Sequence, residues 1–177
     1  KQWEILRRAF HGHTTLVLVG DPKQAIYAFR GAEVLSYLDA VAVADSHLEL
    51  TTNWRSDGNL IAALRSLYGG AALGDSRIVV HPVDAAQPAS RLTGAPPLRL
   101  RHLPRAGAGP RGASGFPTVG ALRAKVARDV AADIVRLLDS GAAVDHGRGP
   151  ERIRPGDIAV LVRTHAQVSL VYEALVA

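Results

Sequence analysis

Gly20-Asp21-Pro22-Lys23-Gln24-Ala25-Ile26-Tyr27-Ala28-Phe29-Arg30-Gly31-Ala32 follows directly on the apolar run Leu16-Val17-Leu18-Val19. A short uninterrupted apolar run ended by Gly-Asp-Pro fits a strand buried on both faces of a parallel sheet. Ligands of such sheets bind beyond the carboxyl ends of the strands, so residues 21–30 are expected at the working edge. The residue types suit that place. The Gln24 amide both donates and accepts hydrogen bonds. Tyr27 and Phe29 offer flat faces and Arg30 a cation beside them, the combination that stacks bases and meets phosphates of single-stranded nucleic acid. On spacing alone, Tyr27 and Phe29 read rather as core residues and Arg30 as a solvated charge.

A second stretch has the same shape. Residues 47–52 alternate around Leu48 and Leu50 as a strand does, and Thr51-Thr52-Asn53-Trp54-Arg55-Ser56 then leads into a helical pattern. Ser56 is a suitable N-cap, Leu60, Leu64 and Leu67 form an apolar stripe, and Gly69-Gly70 stops it. Trp54 and Arg55 are thus expected at a strand-to-helix junction. A third stretch, Asp157-Ile158-Ala159-Val160-Leu161-Val162-Arg163-Thr164-His165-Ala166-Gln167, is again an apolar run with polar residues at its end. A helical pattern over 166–176 follows it.

These three stretches resemble, in order, conserved motifs of the UvrD/Rep family of superfamily 1 DNA helicases. The match is densest at 16–32, 48–56 and 157–167. The wording of the first stretch and the Trp at position 54 are most similar to the branch that works within helicase–nuclease complexes; most other members have Tyr there. The resemblance implies an α/β fold with RecA-like (P-loop NTPase-type) parallel sheets, here incomplete parts of two helicase core domains. It implies an ATP hydrolase that moves 3′-to-5′ on DNA during double-strand-break repair and recombination. By the same resemblance Gln24 senses the terminal phosphate of ATP and couples it to DNA, Trp54 packs near the nucleotide base, and Arg55 reaches the terminal phosphate. Tyr27, Phe29 and Arg30 would contact DNA. Arg163 and His165 would touch the DNA backbone, with His165 standing where the wider family has Asn. The cofactors implied are ATP and Mg2+, and the partners are single-stranded and duplex DNA and other subunits of a helicase–nuclease complex. The alternatives are a repair helicase from another branch of the superfamily, or a DNA-binding module that has lost catalysis.

Composition bounds the rest. The chain has 177 residues, a formal net charge of +5, and neither cysteine nor methionine. Disulfides and thiolate metal sites are therefore excluded. There is no apolar run of membrane-spanning length, and a cytoplasmic protein is expected. Absence of a starting methionine suggests a piece of a longer protein. No G-x-x-x-x-G-K-[ST] phosphate loop occurs, and the acidic magnesium motif would precede Lys1, so this stretch by itself is expected to be inactive. His11 and His13 lie in a turn without carboxylate neighbours and read as loop residues rather than metal ligands.

Between Asp84 and Asp129 there is no acidic residue, while Arg91, Arg99, Arg101, Arg105, Arg111, Arg123, Lys125 and Arg128 all fall there. This basic segment is expected either to face a phosphate backbone or to be a solvated surface. Prolines 82, 88, 96 and 97 argue against long elements, which places a connector at 73–97 between a first domain (1–72) and a second (98–177). Residues 77–80 read as a short extended piece. Leu98 to Leu103 alternates as a strand with one buried face. Residues 104–117 are rich in Gly, Pro, Ala and Arg and read as a surface loop. Thr118 to Ser140 is the clearest helix, with Leu122, Val126, Val130, Ile134 and Leu137 three or four apart. Lys1 to Phe10 and Ala32 to Val43 also read as helices.

Overall fold

The computed structural model describes residues 2–24, 34–104 and 106–177. In chain order its elements are α1 (Gln2–Phe10), α2 (Val34–Ala42), β1 (Thr52–Asp57), α3 (Gly58–Tyr68), β2 (Ala72–Leu73), β3 (Asp75–Val79), β4 (Asp84–Gln87), β5 (Leu92–Thr93), α4 (Val119–Asp139), β6 (Ala143–Asp145), β7 (Pro150–Arg152) and α5 (His165–Val176). The result is a mixed α/β chain. It divides into two compact units, Lys1–Ser56 with Leu64–Ala86, and Asp57–Ala63 with Gln87–Ala177.

In the first unit, α1 is held along its length by Glu4, which takes Arg7 Nε at 3.3 Å and Arg8 Nε at 2.5 Å across one helical turn. It packs against α2, where Leu38 and Ala40 are buried. Gly20 lies so close to the Tyr37 ring of α2 that a Cβ there would sit 2.8 Å from it. With no side chain at residue 20, the Gly-Asp-Pro turn rests directly on the Tyr37 ring. β1 pairs with β4, and the Asp84 N–H donates to the Thr51 carbonyl at 2.8 Å. β2 and β3 form an antiparallel pair, with Ile78 of β3 buried.

In the second unit, β5, β6 and β7 form a three-stranded antiparallel sheet with Leu92 opposite Val144 and Ala143 opposite Arg152. α4 is the long helix that the 3.6-residue periodicity predicts. Thr118 caps it, its side chain accepting from the Ala121 N–H at 3.3 Å, and Ser140 closes it by donating its hydroxyl to the Leu137 carbonyl at 2.8 Å. α4 packs against α5, and the buried positions Ala127 and Ala131 lie one turn apart on one face.

The helices expected at 1–10, 32–43, 118–140 and 166–176 and the extended piece at 77–80 are present, with ends shifted by a residue or two. Four expectations about strands need correction. Leu16–Val19 is paired with no strand among the described residues, and Val17 and Val19 are 78% and 96% exposed. The strand read at 47–52 lies further on, at Thr52–Asp57, leaving Leu48 and Leu50 almost fully exposed. Ser56 is consequently inside β1 rather than capping α3. Ile158–Val162 is also unpaired among the described residues, with Leu161 94% exposed. A run of Val, Leu and Ile becomes a central strand only when neighbouring backbones accept and donate its ladder hydrogen bonds. No described segment does this for 16–19 or 158–162; the ladders with an assigned register, β2–β3 and β5–β6–β7, are antiparallel.

The fourth correction concerns 98–103. This segment alternates as expected, but it bonds through side chains instead of backbone. Arg99 and Arg101 reach Asp133 and Asp129 of α4, and Leu100, on the face expected to be buried, is 74% exposed. Two residues of extended chain span about 6.7 Å, and four residues of helix rise about 6 Å. The arginine spacing therefore matches the aspartate spacing, and the segment lies along α4.

Candidate functional site

The residues singled out in the sequence fall at three places. Tyr27, Phe29 and Arg30 lie outside the described residues. Gln24 belongs to the first unit and ends a short turn, Pro22–Gln24, organised by Asp21. The Asp21 carboxylate accepts from the Lys23 N–H at 3.0 Å and from Gln24 Nε2 at 3.2 Å, and pairs with Lys23 Nζ at 3.1 Å. Partial burial acts to raise the Asp21 carboxyl. The Lys23 ammonium and N–H, with the Gln24 amide, outweigh that and hold it below the usual aspartate range. The Gln24 amide nitrogen is thus engaged locally, while its amide oxygen is an acceptor that Asp21 cannot use.

Trp54 and Arg55 are also in the first unit, inside β1 rather than at its end. Asn53 shapes their presentation: its Oδ1 accepts from the Arg55 N–H at 2.9 Å and the Ser56 N–H at 2.8 Å. An Asn side chain that takes the N–H groups two and three residues on bends the chain locally. Trp54 is 77% exposed, so a large flat ring faces outward. Arg55 is exposed as well. Immediately beyond, in the second unit, Asp57 takes the Arg91 N–H at 2.7 Å and Arg91 Nε at 2.6 Å, which ties the start of α3 to the chain before β5. Burial pushes the Asp57 carboxyl up, but the Arg91 N–H and guanidinium overrule it and leave it lowered.

Arg163 and His165 are in the second unit at the start of α5, and both are exposed. Gln167 sets the geometry here. Its Oε1 accepts from the Arg163 N–H at 3.0 Å and the Thr164 N–H at 3.2 Å. That is the backward half of a capping box, and it fixes the turn from which both side chains project. Asn53 and Gln167 were not singled out as positioning residues, although each left a signal. Thr164-x-x-Gln167 has capping-box spacing, and Asn two residues before Arg55 is a turn-forming position.

The basic segment turns out to be two populations. Arg91 is committed to Asp57, and Arg99 to Asp133 at 3.0 Å. Arg101 makes a two-pronged pair with Asp129 and also reaches Asp133 at 3.4 Å, while Arg136 joins Asp133 at 3.2 Å. The Arg101 guanidinium draws the Asp129 carboxyl down, and Asp129 in return raises Arg101. These arginines neutralise the protein's own acids. Arg111, Arg123, Lys125 and Arg128 make no ion pair with a carboxylate among the described residues.

Chemically, the first unit offers an amide, an exposed indole and a guanidinium, which suit a nucleotide's base and phosphates. The second offers an arginine and a histidine at a helix start, which suit a phosphate backbone. Among the described residues no three His, Asp or Glu are placed to hold a metal ion, and no helix is long and apolar enough to cross a membrane.

Comparison with known proteins gives one consistent result. The family model of the UvrD/REP helicase N-terminal domain matches residues 1–43. The RecBCD enzyme subunit RecB of Mycolicibacterium smegmatis is 45% identical over 99% of this chain, and that of Mycobacterium tuberculosis is 42% identical over 98%. The Escherichia coli RecB subunit is 31% identical over 99% of this chain. The chain spans about 16% of the length of the two mycobacterial relatives and 15% of the Escherichia coli one. Similarity to RecB subunits thus runs from end to end through all three motif stretches, and the UvrD/REP helicase N-terminal domain model falls on the first of them.

Proposed function

We propose that this chain forms parts of the two RecA-like core domains of a RecB-like, ATP-dependent DNA helicase that translocates 3′-to-5′. Residues 1–72 would supply the end of the first domain, 73–97 the connector and 98–177 the start of the second. The complete protein would act on single-stranded and duplex DNA in the cytoplasm, with other subunits of a RecBCD-like complex, in double-strand-break repair and recombination. The observation that carries this reading is the 31–45% identity to RecB subunits over 98–99% of the chain.

The residues divide the work by their chemistry. Bound ATP with Mg2+ supplies the transferable phosphoryl group. This chain is assigned no magnesium ligand. Trp54 presents a ring for the base. Arg55, next to it, places a planar guanidinium where negative charge builds on the phosphoryl oxygens, which lowers the barrier to transfer more than it strengthens binding. Asn53 sets the backbone from which both project. Gln24 leads directly into the Tyr27-Phe29-Arg30 stretch, so a shift of its amide between Asp21 and a terminal phosphate would carry the nucleotide state toward DNA-stacking residues. Arg163 and His165, held by the Gln167 cap, would grip the backbone from the second domain.

The test is a pair of variants in the complete protein. Phe29→Ala should weaken single-strand binding by about 1–3 kcal/mol, the worth of one base stack, and leave nucleotide binding unchanged without DNA. Gln24→Ala should retain part of the DNA-stimulated ATP hydrolysis while losing unwinding. A fall in melting temperature without a selective DNA or coupling defect would refute these roles.

A further inference from the structure

An open cavity of about 420 Å3 lies in the second unit between Gly107–Pro110 and the first turns of α4. It is lined on the helix side by Gly120, Ala121, Ala124, Lys125 and Arg128. The loop wall is built into the fold. Ala108 is 2% exposed, the Lys125 ammonium donates to the Gly107 carbonyl at 2.7 Å, and the Thr118 N–H donates to the Pro110 carbonyl at 2.9 Å. Gly109 has φ +115°, and a Cβ on it would sit 2.8 Å from Ala121 Cβ. The backbone reaches α4 there only because residue 109 is glycine.

Three features of this cavity point the same way. Its walls are glycine, alanine and proline, which leave room for a bulky group against backbone. Its cations are not consumed: Arg128 has no carboxylate partner among the described residues, and Lys125 uses one donor on Gly107 and keeps two. The carboxylates of the following turns of α4, Asp129 and Asp133, are neutralised by Arg101, Arg99 and Arg136, so an incoming anion meets little repulsion. The geometry points to a contact for a backbone phosphate of single-stranded DNA, made by Arg128 with Lys125 and separate from the motif residues. This contact rests on the helicase reading for the identity of its anion. It would lengthen the DNA track of the second unit beyond Arg163 and His165.

The experiment measures single-strand binding by the complete protein across a salt series, for wild type, Arg128→Ala and Gly120→Leu. A phosphate contact contributes about 0.7 to the slope of log affinity against log salt on single strands. Arg128→Ala should reduce the slope by that amount and weaken binding equally across sequences, with DNA-free ATP hydrolysis unchanged. Nothing lies within 4 Å of a Cβ built on Gly120. Gly120→Leu should therefore fill the cavity and weaken DNA binding with the melting temperature unchanged or higher. If both variants bind DNA with wild-type affinity and slope while unwinding persists, the contact is refuted and the helicase reading stands. Loss of subunit assembly with unchanged DNA binding also overturns it, marking the cavity as a protein-docking surface. A wild-type protein that binds no DNA overturns the reading on which it rests.

Discussion

Trp54–Arg55 in β1 and Arg99–Arg101 along α4 are alike on paper: each is a short extended stretch carrying arginine, a few residues from a helix. They differ in what the arginines meet. Asp129 and Asp133 stand one helical turn apart, at the pitch of Arg99 and Arg101, and the four charges close on each other. At β1 the nearby acid, Asp57, is taken by Arg91 from the chain before β5. The Asn53 side chain spends itself on backbone N–H groups and leaves the Trp54 ring outward. What an arginine meets is decided by the acids that the fold brings to it, not by its place along the chain.

The largest effect that could break this contrast is on catalysis. Arg55→Ala in the complete protein should cut ATP turnover by roughly 10³-fold or more, the scale of arginine-finger losses, and weaken ATP binding far less. Arg55→Lys should rescue poorly, because an ammonium lacks the planar fork. Steady-state turnover normalised to folded protein, beside nucleotide affinity, measures this; near-normal turnover would remove Arg55 from the mechanism. Thr118→Ala is next. It removes the cap of the helix that holds Arg99 and Arg101 and should cost about 1 kcal/mol in denaturant unfolding, with turnover per folded molecule unchanged.

Arg101→Ala should be smaller still. Exposed ion pairs contribute little each, so a slight fall in melting temperature with unaltered turnover is expected. A turnover defect would mean that Arg101 leaves α4 during the reaction, and the two regions would no longer differ in kind. The smallest effect is acidic. Asp75 is drawn down to about 2 by the two-pronged Arg77 guanidinium, against roughly 3.9 for a free aspartate. Asp21, Asp57, Asp129 and Asp157 shift the same way. A lowered folded value means that the unfolded chain binds the proton first. The carboxylates' contribution is therefore complete above about pH 4 and lost as pH falls toward 2. Melting temperature followed from pH 7 to 2 should show this fall, reduced in Asp75→Asn; an identical profile in that variant would show the pair to be thermodynamically silent.

The sequence by itself determined the helices and the lineage. The stripe Leu122, Val126, Val130, Ile134 and Leu137 specifies α4 without reference to the rest of the chain, because a 3.6-residue period and a Thr cap are local properties. The three motif stretches point to the superfamily, because polar, aromatic and glycine positions are filled together. Strands were another matter. Leu16–Val19 and Ile158–Val162 have the composition of central strands, but a strand is defined by the neighbour that completes its hydrogen bonds, and that neighbour is remote in sequence. The same holds for charge. Eight cations between Asp84 and Asp129 are visible in the sequence, but only the tertiary structure separates Arg91, Arg99 and Arg101, spent on Asp57, Asp129 and Asp133, from Lys125 and Arg128 beside an open cavity. Pairing depends on distances across the fold, and those are set by packing rather than by order along the chain.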